Sequence, residues 1–279
     1  MTTPLETVRL ADPAHRSEVL LAPSRGGMAT RFTVGTRPVF FLDEASLLDE
    51  TKNVRGGNPV LFPSPGPLPG DRFTRDGRSG AMKQHGFARN VAWSVVERSD
   101  RAATLEMVSD DRTRAQFPWD FCVRFRYALE GRTLRIEQRF ENTGEVPMPF
   151  AAGFHPYFHV PDADKGRASI PTRATRAWDN VTKQHVAVRA PIDLTAKEVD
   201  LHLVDHGGPE AELRLPDGAR IVVAGSPELA RWVVWTLAGK DFVCLEPWTA
   251  AANALNDGTG LLVVPPGGAR ELWTSYTLG

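Results

Sequence analysis

Residues Trp119–Asn142 read W-D-F-C-V-R-F-R-Y-A-L-E-G-R-T-L-R-I-E-Q-R-F-E-N. Phe121, Val123, Phe125, Tyr127 and Leu129 fall on alternate positions, with Arg124 and Arg126 between them. After a Glu130-Gly131 turn the alternation resumes at Leu134, Ile136, Gln138 and Phe140. A period of two places alternate side chains on one face, so the stretch predicts a β-hairpin with one buried face.

The same reading extends outward. Short strands are expected at Ser17–Leu21, Ala92–Glu97, Thr104–Ser109, Glu212–Leu215, Arg220–Ala224, Trp232–Leu237, Phe242–Leu245, Leu261–Val264 and Glu271–Thr277. Turn residues separate them at Asp76-Gly77, Asp217-Gly218, Asn142–Gly144, Asp257-Gly258 and Pro266–Gly268. With 24 glycines and 22 prolines, long helices are excluded, and only Asp43–Glu50 and Pro227–Ala230 read as short helical turns. No strand alternates with a long helix, and there is no fixed-period repeat or linker. The expectation is an all-β chain, a large antiparallel β-sandwich with few short helices, as one domain over residues 1–279. Gly56–Gly70 departs from the pattern: its five prolines exclude a helix and a central strand, leaving a stiff loop.

Composition narrows the function. Lys plus Arg number 33 against 34 Asp plus Glu, a formal charge of −1. That balance argues against a nucleic-acid or membrane-surface binder. No apolar run approaches the roughly 18 residues of a membrane span. Met1–Glu6 has no basic segment leading into an apolar one, so a cytoplasmic location is expected. Cys122 and Cys244 are too few for a disulfide framework or a structural zinc site and read as buried free thiols in a reducing compartment.

Three segments carry ionisable groups at the ends of apolar strands: Lys83–Arg89 (K-Q-H-G-F-A-R), Gly153–His159 (G-F-H-P-Y-F-H) and Val243–Thr249 (V-C-L-E-P-W-T). Glu246 is either a water-exposed strand end or a base held beside an aromatic wall. His155 is either a satisfied core histidine or a catalyst, and His85 a surface or capping histidine or a group near the site. His155 and His159 have the spacing of a helical metal pair, but Pro156 argues against a helix and no third ligand is evident, so no metal is assigned. His15, His185, His202 and His206 receive no role. There is no phosphate-binding loop, dinucleotide fingerprint or nucleophile elbow.

Together the segments resemble the aldose 1-epimerase (galactose mutarotase-like) family. The matching residues are Arg55–Pro59, Leu61–Pro63, His85–Arg89, Gly153–Phe158, Val234–Thr236, Cys244–Thr249, Asn253–Asn256 and Pro266–Gly268, in this order. The resemblance implies a supersandwich fold and cofactor-free interconversion of sugar anomers. It implies His155 as the acid at the ring oxygen, Glu246 as the base at the anomeric hydroxyl and His85 as a second histidine on the ring-oxygen side. Acid and base are expected on opposite sides of the sugar. Arg55 and Arg89 match arginines near sugar or phosphate. Asp200 is the candidate for gripping hydroxyls, with Asp193 and Asp205 as neighbours. Trp248, Trp235, Phe154 and Tyr157 offer flat faces to a sugar or simply pack the core. The implied partner is a small sugar, or a sugar phosphate if Arg55, Lys83 and Arg89 form one cation set; a non-catalytic carbohydrate binder is the further alternative. A monomer or homodimer is expected. A glycoside hydrolase needs two carboxylates flanking a bond, and only Glu246 stands out.

Overall fold

A computed structural model describes residues 5–279. The Trp119–Asn142 stretch forms the expected hairpin, Phe121–Glu130 paired antiparallel with Thr133–Asn142. Val123, Phe125, Tyr127, Leu134, Ile136 and Phe140 are buried on one face. The other face is a lattice of ion pairs, among them Arg124–Glu106, Arg126–Glu137 and Arg139–Glu271. Such exposed pairs are worth about 0–1 kcal/mol each. The burial of the opposite face therefore fixes the register.

This hairpin lies inside a seven-stranded antiparallel sheet. Its order is Glu210–Arg214, Arg220–Gly225, Ala269–Leu278, Thr133–Asn142, Phe121–Glu130, Ala102–Val108 and Ser94–Arg98. An eight-stranded sheet runs Gln184–Ala187, Arg176–Asp179, Glu198–Leu203, Arg231–Leu237, Phe242–Trp248, Gly153–Phe154 and Val60–Leu61, with Tyr157–His159 also on Phe242–Trp248. Aromatic side chains of the two sheets meet in the core: Phe125 lies 5.7 Å from Phe154, and Phe62 stacks on Phe140 at 5.6 Å. Buried tyrosine hydroxyls find partners here: Asn58 Nδ2 donates to Tyr276 Oη at 3.1 Å, and Tyr127 Oη donates to the Gly27 carbonyl at 2.7 Å. Val8–Asp12, Ser17–Ala22, Met28–Val34 and Arg37–Pro38 form a separate four-stranded sheet.

The all-β antiparallel architecture agrees with the expectation. The strands Val8–Asp12, Met28–Val34 and Glu198–Leu203 and the hairpin Arg72–Arg75/Arg78–Ala81 were not anticipated. Glu44–Leu48 is the expected helix, started by the Asp43 side chain accepting from two backbone N–H groups. Pro227–Ala230 is not a helix but one turn, closed by Leu229 N–H on the Ser226 carbonyl at 2.9 Å. Two short helices went unforeseen, Asp111–Arg114 behind an Asp110 capping box and Ala254–Asp257. In the proline-rich segment, Val60–Leu61 forms a two-residue strand at the sheet edge, where missing N–H donors are tolerated. Cys122 and Cys244 are free and buried. Among the described residues, no helix is long and apolar enough to cross a membrane.

Candidate active site

Strand register builds the site. On one flank of Phe242–Trp248, Tyr157 pairs with Cys244 and Gly153 with Trp248. The ladder is interrupted between them at His155-Pro156, which sets His155 beside Glu246. On the other flank Glu246 pairs with Val233, and Val233 with His202. Directly paired residues share a face, so His155, Glu246, Val233 and His202 form one transverse row. The next row is Tyr157, Cys244, Trp235 and Asp200, with Asn180 at its end. The strand continues past its expected end at Leu245, through Pro247 to Trp248. It does so because the facing chain is broken at that point.

Two loops close over these rows. The Arg55 loop is held by Arg55 N–H on Ser46 Oγ, 2.8 Å, and is zipped to the site by Tyr157 N–H on the Gly57 carbonyl and His155 N–H on the Pro59 carbonyl. The His85 loop packs on Phe62-Pro63. A Cβ at Gly86 (φ +68°) would stand 2.1 Å from the Phe62 carbonyl oxygen, so only glycine lets the backbone approach this closely. His85 itself adopts φ +75°, a left-handed conformation unusual for a side chain of its size.

The open cleft between the two loops holds about 350 Å³, the size of a small-molecule site. His155, Glu246, His85, Arg55, Arg89, Asp200 and Trp248 all line it. Lys83 does not: its ammonium reaches out to Asp71 at 2.5 Å and is exposed, because the turn at His85 and Gly86 sends the two neighbours in opposite directions. Asp193 is spent on a local turn with Thr195, and Asp205 accepts from the backbone N–H groups of Thr175 and Arg176, about thirty residues away in the chain. His159 lines a different hollow. The residues not foreseen are His202, Asn180, Asn53, Val54, Gln84 and Val233.

At the floor, His155 Nε2 lies 3.4 Å from Glu246 Oε1. The two stand side by side rather than on opposite sides of the cavity. The Glu246 side chain is 2% exposed and that of His155 9%. Burial pushes the Glu246 carboxyl well above the usual carboxylate range, and the nearby Asp200 adds to it; the Trp248 indole N–H, donating to Glu246 Oε2 at 3.1 Å, partly opposes this. Burial drives His155 well below the ordinary imidazole value, helped by His85 and Arg89. Both displacements favour the uncharged forms of the pair. Trp248 is a brace and wall for Glu246, with its body buried, rather than an open face.

His85 stands edge-on to His155 with ring centroids 5.4 Å apart. Its Nδ1 meets the Pro65 carbonyl at 2.6 Å. A carbonyl only accepts, so Nδ1 bears the hydrogen and Nε2 is left as an acceptor. Burial and the Arg89 charge push this ring down to about 3, keeping it neutral. Asp200 is held from two sides, by Asn180 Nδ2 at 2.7 Å and His202 Nε2 at 3.2 Å.

The sequence profile described as aldose 1-epimerase matches residues 29–277. The chain belongs to the aldose 1-epimerase family. Among solved structures similar to this epimerase-family chain is the Slr1438 protein of Synechocystis sp. PCC 6803, with TM-score 0.95 and 37% identity over 100% of this chain and 98% of that one. A galactose mutarotase related enzyme from Lactobacillus acidophilus shares the fold at TM-score 0.77 and 20% identity, covering 98% and 97%. The LacX protein (chromosomal) of Lactococcus lactis subsp. lactis is 23% identical over 233 residues, 73% of this chain and 77% of LacX. The family's isomerase chemistry on sugars fits a cavity that offers a buried proton-sharing pair, an acceptor imidazole, a braced carboxylate and two guanidinium groups. Among the described residues, one group of three potential metal ligands comes together, His155, Cys244 and Glu246, at the cavity floor.

Proposed function

We propose that this protein interconverts the α and β anomers of an aldohexose by cofactor-free ring opening and closure. The observation that carries the reading is the 3.4 Å approach of His155 Nε2 to Glu246 Oε1 at the floor of a sugar-sized cavity. Mutarotation removes a proton from the C1 hydroxyl and delivers one to the ring oxygen. Both oxygens are bonded to C1, so an adjacent acid and base serve them better than groups facing each other across the ring. Burial favours the proton on Glu246; once it crosses the 3.4 Å contact to His155, ionised Glu246 accepts the hydroxyl proton while the imidazolium protonates the ring oxygen. The C1–O5 bond breaks, the aldehyde rotates, and reclosure on its other face returns both protons. No net proton is consumed.

His85 Nε2 accepts from a sugar hydroxyl, and Asp200, pre-oriented by Asn180 and His202, accepts from others. Two buried free thiols suit a reducing, cytoplasmic setting. The test is a panel of anomerically pure aldohexoses and their 6-phosphates, followed by polarimetry or exchange NMR. Acceleration over buffer by the native chain, lost in Glu246→Gln and His155→Ala, is the expected result; saturable sugar binding with no acceleration of any member overturns it in favour of a carbohydrate binder.

A second reading, a hexose 6-phosphate epimerase, is favoured by Arg89. Its Nε is buried without a hydrogen-bond partner, and exposed Arg55 stands at the same cavity. A guanidinium fork matches phosphate oxygens. Under this reading the 6-phosphate binds more tightly than its parent sugar, and Arg89→Ala removes that preference while sparing the plain sugar.

A further inference from the structure

Cys244 is a buried thiol beneath the residues that line the cavity, and anomer exchange does not use it. It is fully buried, two residues before Glu246 on the same strand face, beneath Tyr157 and Trp235. Its sulfur and the donor atoms of His155 and Glu246 lie within 4.8 Å of one another. His155 Nδ1 is buried without a hydrogen-bond partner.

We infer that His155, Cys244 and Glu246 form an inhibitory site for a borderline-soft divalent cation, Zn²⁺ or Cd²⁺. Zinc takes imidazole nitrogen and carboxylate oxygen at about 2.0–2.1 Å and thiolate sulfur at about 2.3 Å in tetrahedral array. Two N/O ligands of such an ion stand about 3.4 Å apart by that geometry, and His155 Nε2 and Glu246 Oε1 are already 3.4 Å apart. Only the sulfur must close in, by a side-chain adjustment of about 1 Å. The fourth position opens to the cavity and takes water.

Charge favours the same occupant. A divalent cation binds these ligands in their deprotonated forms. A thiolate, a carboxylate and a neutral imidazole then balance a divalent ion, leaving no net charge buried. The ion sits where the acid–base proton was, so occupancy stops anomer exchange. The inhibition rests on the mutarotase reading, whereas the binding does not.

Cd²⁺ titration of the whole chain, read by the ultraviolet thiolate-to-cadmium charge-transfer band and by the melting temperature, tests binding without any activity. Zn²⁺ inhibition of anomer exchange, reversed by EDTA, tests its consequence. Cys244→Ala, with Cys244→Val as a second variant in case the smaller side chain weakens the fold, is expected to retain catalysis, lose the band although Cys122 is still present, and resist Zn²⁺ at least about 100-fold better. Inhibition equal in native and Cys244 variants overturns the inference. So does a charge-transfer band that survives Cys244 replacement, or cadmium bound through Cys244 with anomer exchange undiminished. If no sugar is turned over at all, the band and the melting shift still decide whether the site exists.

Discussion

In the seven-stranded sheet, Phe121–Glu130 and Thr133–Asn142 run ten residues each without a break. In the eight-stranded sheet, the chain from Gly153 to His159 makes only two strands, of two and three residues, parted at His155-Pro156. The first sheet buries an unbroken apolar face and spreads paired charges over the other. The second carries Glu246, His155, Asp200 and His202 on a face that is neither dry core nor open surface. A continuous ladder leaves no backbone or side chain free to do anything else. The gap lets an imidazole lean toward the neighbouring strand's carboxyl, at the cost of two ionisable groups whose proton affinities burial displaces in opposite directions. The two sheets thus divide the work: one supplies cohesion, the other an incompletely satisfied polar row.

The sharpest way to break this division is at the gap. Glu246→Gln and His155→Ala are each expected to lower anomer-exchange rates by about 10²–10⁴-fold while circular dichroism and the unfolding midpoint stay close to native. A large loss of stability in Glu246→Gln would mean that the row is structural.

The mirror experiment is in the scaffold. Phe140 is fully buried and packs on Phe62, Phe125 and Phe150. Phe140→Ala is expected to cost about 3–5 kcal/mol of stability, measured by urea unfolding, with the rate per folded molecule unchanged.

Smaller effects test the tuning of the row. The pair loses function when rising pH strips its single proton and when falling pH adds a second, so the rate should fall on both sides of an optimum. Its alkaline limb should be displaced upward by the raised Glu246 and its acid limb downward by the lowered His155. Asp200→Asn removes a negative neighbour that raises Glu246, so the alkaline limb should move to lower pH. Trp248→Phe removes the indole donor that lowers it, so that limb should move to higher pH, with a rate loss of about 10–100-fold from a missing charged hydrogen bond. Limbs that move the other way, in pH–rate profiles of the two variants, would refute the assignment. The least effect is expected at the ion-pair lattice: Arg139→Ala breaks the exposed contact with Glu271 and should cost no more than about 1 kcal/mol, with no kinetic change.

The same contrast governs what could be read from the amino acids. The hairpin was legible because burial on one side enforces a period of two over twenty positions. Glu198–Leu203 obeys the same period, with Glu198, Asp200 and His202 on one face and Val199, Leu201 and Leu203 on the other. It was passed over because its wet face lines a cavity and so resembles ordinary surface. His202 was missed with it, and the shared alternation with Asp200 was the signal that pointed to it. His85, His155 and Glu246 were found through ordered motifs, whereas their side-by-side placement depends on pairings between segments distant in the chain. Lys83 was misplaced because adjacency in sequence says nothing about direction after a left-handed residue.

The strand Ala269–Leu278 lies between Thr133–Asn142 and Arg220–Gly225. A ribosome delivers it after both of its neighbours. Until then those two elements have raw edges, able to pair with the wrong partner. Assembly of this protein should therefore be a late, nearly all-at-once event, and nascent chains stalled short of residue 269 should be the ones that chaperones hold.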